Sequence, residues 1–186
     1  MSITTRVNRY FKPQDLNRVI NLNKKIKTTI MLLEFVENND LESVKTALAS
    51  GVDIWADKFG YSALHMALSK GFDEIAKLLI SGGIDVNLQD QKGQTALHYC
   101  AFYNKVDLAE LILRNRGDLD IEDVYGNQSL WTAVFNDYGR SERIELVELF
   151  LSHGAQKDHK NKAKRSPLDI VTSRPYENLF TLFGLK

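Results

Sequence analysis

The fold is decided by the stretch Asp90-Gln91-Lys92-Gly93-Gln94-Thr95-Ala96-Leu97-His98, whose pattern occurs three times in the chain at one spacing. Residues 57–65 read DKFGYSALH, and residues 123–131 repeat the pattern more loosely as DVYGNQSLW. Successive copies are 33 residues apart. A period of this length is typical of stacked supersecondary units, in which each unit buries its apolar face against the next. The pattern therefore favours a binding surface over a catalytic pocket.

Each unit is predicted to begin with a turn and to continue into two helices. Asp90 and Gly93 favour a tight turn, in which glycine tolerates a positive φ. Thr95 is placed to cap the helix that begins at Ala96. The second helix carries apolar residues at helical spacing, namely Val106, Leu108, Ala109, Leu111, Ile112 and Leu113. Stability should then be roughly a sum of contacts between neighbouring units.

The pattern D-x-x-G-x-T/S-x-L-H, followed by an apolar helix and GIDVN at 83–87, resembles the ankyrin repeat. Ankyrin repeats have 33 residues and the signature T-P-L-H-x-A. The proline of that signature is replaced by Ala63 and Ala96, and it reappears at Pro167. The resemblance covers roughly residues 29–183. It implies an all-α solenoid of helix-turn-helix units with short β-hairpin loops, but it names no ligand.

The period divides the ankyrin repeat domain, residues 29–186, into five units. We expect a degenerate cap repeat at 29–56, full repeats at 57–89 and 90–122, a repeat with an insertion at 123–160, and a truncated C-terminal cap repeat at 161–186. Residues 1–28 do not fit the period. They form an N-terminal extension that acts as a binding arm, or a capping helix or partly ordered tail at the end of the stack.

The insertion follows from a shifted alignment. Residues 146–151 align with residues 75–80 at an offset of 71, where two periods give 66. Five extra residues therefore lie within 136–143. Loops that outgrow a regular repeat lie at the surface and often carry function. We expect an exposed, mobile loop with Tyr138 and Arg140 available to a partner.

Composition excludes several classes of protein. The 24 basic and 24 acidic residues give a net charge of zero, so the chain lacks the overall basic character of nucleic-acid-binding proteins. Residues 157–165 are locally basic, and they form either a solvated loop or a contact for phosphate or an acidic partner. There is no stretch typical of a signal peptide or a transmembrane helix. We therefore expect a cytoplasmic protein that binds neither nucleic acid nor membrane.

No motif points to catalysis, a cofactor or a metal ion. His65 and His98 are one period apart, too far to share an ion, and in ankyrin-like repeats this histidine hydrogen-bonds neighbouring turns together. Cys100 is the single cysteine, and it occupies a position where the family has a small buried alanine. We expect structural histidines, an inert thiol and a protein that is not an enzyme.

The resemblance also implies a binding face. In the ankyrin family, variable positions at the hairpin tips and on the exposed side of the first helix line a concave groove. Mapped by the period, this face is rich in aromatic residues, which protein interfaces use as anchors. Some of these rings could instead cover junctions between repeats. The predicted protein-binding residues are Trp55, Phe59, Tyr61, Lys70, Lys92, Phe102, Tyr103, Tyr125, Trp131, Phe135, Tyr138 and Arg140.

Together these features predict a non-enzymatic protein-binding module that holds one folded partner and is a monomer when free. We expect a dedicated inhibitor, such as an immunity protein that neutralises a toxin or effector. The alternative is a scaffold or adaptor with several partners.

Overall fold

The computed structural model describes residues 31–51, 61–137, 143–173 and 177–185. Within these ranges the regular elements are α-helices, and no strand is present. The all-α prediction is therefore confirmed. The helices are α1 (31–37), α2 (Leu41–Ala49), α3 (Ala63–Lys70), α4 (Asp73–Ser81), α5 (Ala96–Tyr103), α6 (Val106–Arg114), α7 (Ser129–Asp137), α8 (Ile144–Ser152), α9 (Pro167–Ser173) and α10 (Glu177–Phe183).

Several predictions lie outside the described residues. They are the interpretation of residues 1–28 and the predicted binding residues Trp55, Phe59, Tyr138 and Arg140.

The helices form two layers. Helices α3, α5, α7 and α9 stack in order in one layer, and α2, α4, α6, α8 and α10 stack in the other. Each helix also packs against its partner within the unit, as α3 does on α4 and α5 on α6. Such a stack has no closed core, and its apolar centre runs continuously from one unit to the next.

The repeated leucines form that centre. Leu64, Leu97 and Leu130 are each at most 1% exposed and occupy the same position in α3, α5 and α7. Small residues beside them, such as Ala101 and Cys100, are fully buried and let adjacent helices approach closely. The fold thus follows from the 33-residue period, because the same apolar face recurs at every layer.

Several helix ends are set by local chemistry that can be recognised in the sequence. Ser62 and Thr95 are the N-cap residues of α3 and α5, as predicted for Thr95. The turn from α3 to α4 passes through Gly71 at φ 73°, and the turn from α5 to α6 passes through Asn104 at φ 56°. Glycine and asparagine are the residues that adopt this left-handed conformation most readily.

Candidate protein-binding surface

The loops that join the units contain tight turns that share one pattern of hydrogen bonds. The N–H of Asp90 donates to the Gln94 carbonyl (3.0 Å), and the Asp90 carboxylate accepts from the N–H groups of Lys92 (2.8 Å) and Gln94 (2.9 Å). Asp123 makes the same bonds one period later. These loops are turns without a regular β-ladder in the described part of the chain. The recurring aspartate is therefore a turn-forming residue.

Successive turns are bonded to one another. The N–H of Val124 donates to the Lys92 carbonyl (2.8 Å), and the N–H of Lys162 donates to the Tyr125 carbonyl (3.0 Å). We call the turns 90–94, 123–127 and 161–165 the tip ridge. These backbone bonds give the ridge a fixed geometry along one edge of the stack.

Two histidines tie the helices to this ridge. Nδ1 of His65 accepts from the Ser62 N–H (3.1 Å), so Nε2 carries the proton and donates to the Gln94 carbonyl of the next loop (3.1 Å). His98 makes the equivalent bonds to Thr95 (3.2 Å) and to the Asn127 carbonyl (3.0 Å). The structural role predicted for both histidines is confirmed.

Burial keeps these histidines neutral. It lowers the pKa of His65, an effect that the negative charge of Asp90 partly opposes, and it lowers the pKa of His98. A neutral imidazole can accept at one nitrogen and donate at the other, which this bridge requires.

The unit at 123–160 departs from the pattern. Trp131 stands where the units at 57–89 and 90–122 have histidine, and Gln128 stands where they have Ser62 and Thr95. The indole cannot accept a bond from the helix N-terminus, and its N–H is buried without a hydrogen-bond partner among the described residues. The Gln128 side chain instead donates to the Asp120 carbonyl (3.1 Å). Among the described residues, this histidine bridge therefore joins α3 and α5 to the turns that follow them, and α7 has no equivalent bridge.

Aromatic rings line the first-helix layer next to the ridge. The His65 ring lies 5.8 Å from Tyr61 and 5.0 Å from Tyr99, and Tyr99 lies 6.3 Å from Tyr103. Phe102 meets Tyr103 edge to face at 5.0 Å. Rings in contact in this way hold one another in place, so the surface is largely formed before a partner binds.

Tyr99 connects these rings to the tip ridge, and it is absent from the residues predicted from the sequence. Its hydroxyl donates to Asp90 (2.9 Å), which shapes the first turn of the ridge. Burial and this hydrogen bond raise the pKa of Tyr99, so the phenol remains a donor. The equivalent positions in the neighbouring repeats are Met66 and Thr132, so the repeat pattern could not predict an aromatic residue at this position.

Only part of the predicted set is well exposed. Phe102 is 55% exposed, Tyr103 40% and Tyr125 65%, and Val124 beside Tyr125 is 44% exposed. Such large apolar groups on the surface are the ones that interfaces bury. Lys70 and Lys92 are also exposed, and the Lys70 ammonium lies 3.8 Å from the Glu37 carboxylate.

Three other predicted residues are half-buried. Trp131 and Phe135 stack at 4.7 Å and pack against the core, and the Tyr61 hydroxyl hydrogen-bonds Ser69 (2.8 Å). Trp131 and Phe135 therefore fit the alternative that some of the predicted rings cover junctions between repeats. The reason is their position in α7, where the indole takes the place of the bridging histidine.

The edges of the insertion are more ordered than predicted. Asn136 and Asp137 belong to α7, and Asp137 is fully buried. Arg143 precedes α8 and donates to the carbonyls of Ala101 (3.0 Å) and Phe102 (3.1 Å) at the end of α5. These carbonyls lack helical partners, so Arg143 caps α5. The prediction of an exposed, mobile loop is therefore wrong for these flanking residues. Residues 138–142 lie outside the described ranges.

The remaining reactive groups are built into the fold. Cys100 is fully buried, and burial raises the pKa of its thiol, which suppresses nucleophilic chemistry. Among the described residues, no group of three or more His, Cys, Asp and Glu side chains could hold a metal ion.

None of the helices in the described part of the chain combines the length and apolar character needed to cross a bilayer.

Comparison with known proteins agrees with this architecture. A family model for ankyrin repeats in three copies matches residues 32–123 and 83–161, which together cover more than half of the chain. Protein phosphatase 1 regulatory subunit 12A from mouse and from human is 49% identical over 41 residues, which is 22% of this chain. The match spans only 4% of each relative's length. The chain belongs to the ankyrin repeat family and is a protein-binding module.

Proposed function

We propose that this chain holds one folded protein partner on the exposed face of α5 and on the tip ridge. The observation that carries this proposal is the group of exposed apolar side chains Phe102, Tyr103, Val124 and Tyr125 on a backbone fixed by turn-to-turn hydrogen bonds. A rigid surface loses little conformational entropy when it binds, so more of the contact energy appears as affinity.

The size of this surface suits a standard protein interface. Each aromatic side chain contributes about 150–250 Å² when it is buried. Phe102, Tyr103 and Tyr125 would therefore supply a large share of the roughly 800 Å² that one partner buries in such an interface. Lys70 and Lys92 lie at positions where polar rim contacts are expected.

Two modes of action fit this surface. A dedicated inhibitor, such as an immunity protein against a toxin or effector, would use it for one tight partner. A scaffold or adaptor would use it for several weaker partners. The similarity of 41 residues to a phosphatase regulatory subunit favours the adaptor, because that relative is by name a subunit of a larger assembly. We expect the free chain to be a monomer in the cytoplasm in either case.

The test is affinity capture from native lysate with three purified proteins. These are the natural sequence, the double variant Phe102→Ala with Tyr103→Ala, and the control Lys77→Ala. Lys77 lies on α4, in the second-helix layer, and pairs with Glu74 on its own helix (2.8 Å). We expect the control to retain the partner and the double variant to lose it.

Quantified stoichiometry then separates the two modes of action. One partner recovered in equimolar amount supports the inhibitor, and several substoichiometric partners support the adaptor. Loss of the partner from the Lys77→Ala control, with retention by the double aromatic variant, would place the binding site on the second-helix layer and refute the proposal.

A further inference from the structure

The last turn of the tip ridge contains an unusual lysine. Its residues Asn161-Lys162-Ala163-Lys164 repeat the design of the two earlier turns, with the Lys164 N–H donating to the Asn161 carbonyl (2.8 Å). The earlier turns place glycine at the final position, Gly93 at φ 72° and Gly126 at φ 77°. Lys164 adopts the same left-handed conformation at φ 59°.

A lysine is disfavoured in this conformation. Left-handed backbone is uncommon for residues other than glycine, and asparagine and aspartate are the usual exceptions because their short side chains bond locally. Strained positions of this kind persist where the surrounding structure imposes them, and they cluster at binding sites. Because this chain uses glycine at both equivalent positions of the ridge, the backbone does not require a lysine here, and Lys164 differs from the left-handed Arg116 in lying within a cluster of cations.

The charge around Lys164 is concentrated and incompletely paired. Residues 157–169 contain five Lys or Arg and two Asp, a net charge of +3 in a chain whose overall charge is zero. Lys160, Lys162, Lys164 and Arg165 are exposed, and none of them forms an ion pair within the described residues.

The two carboxylates within residues 157–169 leave most of this charge unopposed, and the nearby Glu122 carboxylate lies against the His159 ring (3.2 Å). Asp169 accepts the Ser166 N–H (2.8 Å), and hydrogen bonds from Ser166 lower its pKa, with smaller contributions from Lys160 and Arg165. Asp158 is exposed.

This basic turn is fixed to the apolar part of the ridge. The Lys162 N–H donates to the Tyr125 carbonyl (3.0 Å), and the Lys162 ammonium donates to the Val124 carbonyl (2.8 Å). On the other side, the Val124 N–H donates to the Lys92 carbonyl. The ridge therefore presents one lysine, then the exposed pair Val124 and Tyr125, and then the cluster of four cations.

We propose that this cluster binds an acidic segment of the protein partner. An apolar side chain of the segment packs on Val124 and Tyr125, and its Asp or Glu residues pair with Lys160, Lys164 and Arg165. The inference rests on the proposed function, and it adds the chemistry of the partner. A nucleic acid is less well matched, because the positive charge is confined to one turn of a chain with no net charge.

The chain offers a matched control for the strained lysine. Arg116 is exposed and also left-handed, at φ 66°, in the position after α6 where the units ending with α4 and α8 have Gly83 and Gly154. Lys164→Gly and Arg116→Gly each remove one positive charge and one left-handed side chain. Both should raise the Tm by about 2–4 °C.

Binding should distinguish the two variants. The probe is a displayed library of random 12-residue peptides selected on the natural sequence, with the best peptides synthesised for calorimetry. We expect selected peptides to combine an apolar residue with several Asp or Glu. Their Kd should rise about threefold with Lys164→Gly, at least about tenfold with Lys160→Glu plus Lys164→Glu, and remain unchanged with Arg116→Gly. Raising the salt concentration should also weaken binding, because exposed charges are screened.

Other outcomes separate failure of this inference from failure of the proposed function. The selected peptides could lack acidic residues, lose affinity for the Phe102→Ala with Tyr103→Ala variant and bind the Lys164→Gly variant with unchanged Kd. That result would overturn the inference of an acidic segment and leave the proposed function standing. Peptides indifferent to every variant overturn both. Binding of a 20-nucleotide single-stranded RNA, or of vesicles containing phosphatidylserine, through Lys160 and Lys164 without acidic peptides would also overturn the inference.

Discussion

The contact between neighbouring turns can be measured with two glycines that share one backbone conformation. Gly93 has φ 72° and Gly71 has φ 73°, so alanine at either position loses about 1 kcal/mol from left-handed strain. A Cβ at Gly71 would meet nothing within 4 Å. A Cβ at Gly93 would lie 3.0 Å from the Asp123 Cα and 3.0 Å from the Val124 nitrogen, both backbone atoms of the next turn.

The difference between the two variants isolates the contact between turns. Backbone atoms cannot move aside as a side chain can, so overpacking at Gly93 should cost a further 1–3 kcal/mol or so. We expect Gly71→Ala to lower the Tm by about 2–4 °C and Gly93→Ala by roughly 5–12 °C. Thermal and urea unfolding followed by circular dichroism at 222 nm measure both. Equal losses for the two variants would refute the close packing of the turns at 90–94 and 123–127.

Three further predictions concern the rest of the stack. Because burial lowers the pKa of His65 and His98 below 6.5, the unfolded chain binds these protons more readily, so stability should be full above about pH 6.5. It should fall as the pH drops below that value, by up to about 1.4 kcal/mol per pH unit for each histidine, and a urea midpoint that stays flat from pH 7 to pH 5 would contradict this. Tyr103→Ala should change the free energy of unfolding by less than about 0.5 kcal/mol, whereas Trp131→Ala should lower it by about 2–4 kcal/mol. Urea titration measures both, and a larger loss for Tyr103→Ala than for Trp131→Ala would contradict this prediction. Leu97→Ala, at a fully buried position, should cost about 2–5 kcal/mol, and a melt indistinguishable from that of the natural sequence would be inconsistent with the proposed core.

The parts of the site that depend on local chemistry were predictable. Gly93, Thr95 and His98 each contact residues that are close in sequence or that lie in the turn of the next repeat. Because these contacts recur with the period, the repeated pattern was enough to predict the roles of the three residues. Tyr99 was missed because no other unit has an aromatic residue at its position. Its importance depends on the distance from its hydroxyl to Asp90, which only the folded chain sets.

The sequence by itself determined the solenoid, because an apolar face that recurs every 33 residues is buried by stacking similar units on one another. It also determined the cap at Thr95 and the turn at Gly93, since these follow from preferences of single residues. Only the tertiary structure decided which aromatic rings remain exposed. Phe102 and Tyr125 remain largely open to solvent, whereas Trp131 and Phe135 pack into the stack. The physical reason is that the exposure of a side chain depends on the neighbouring unit, which is some thirty residues away in sequence. The conformational preferences of single residues contain no information about that neighbour.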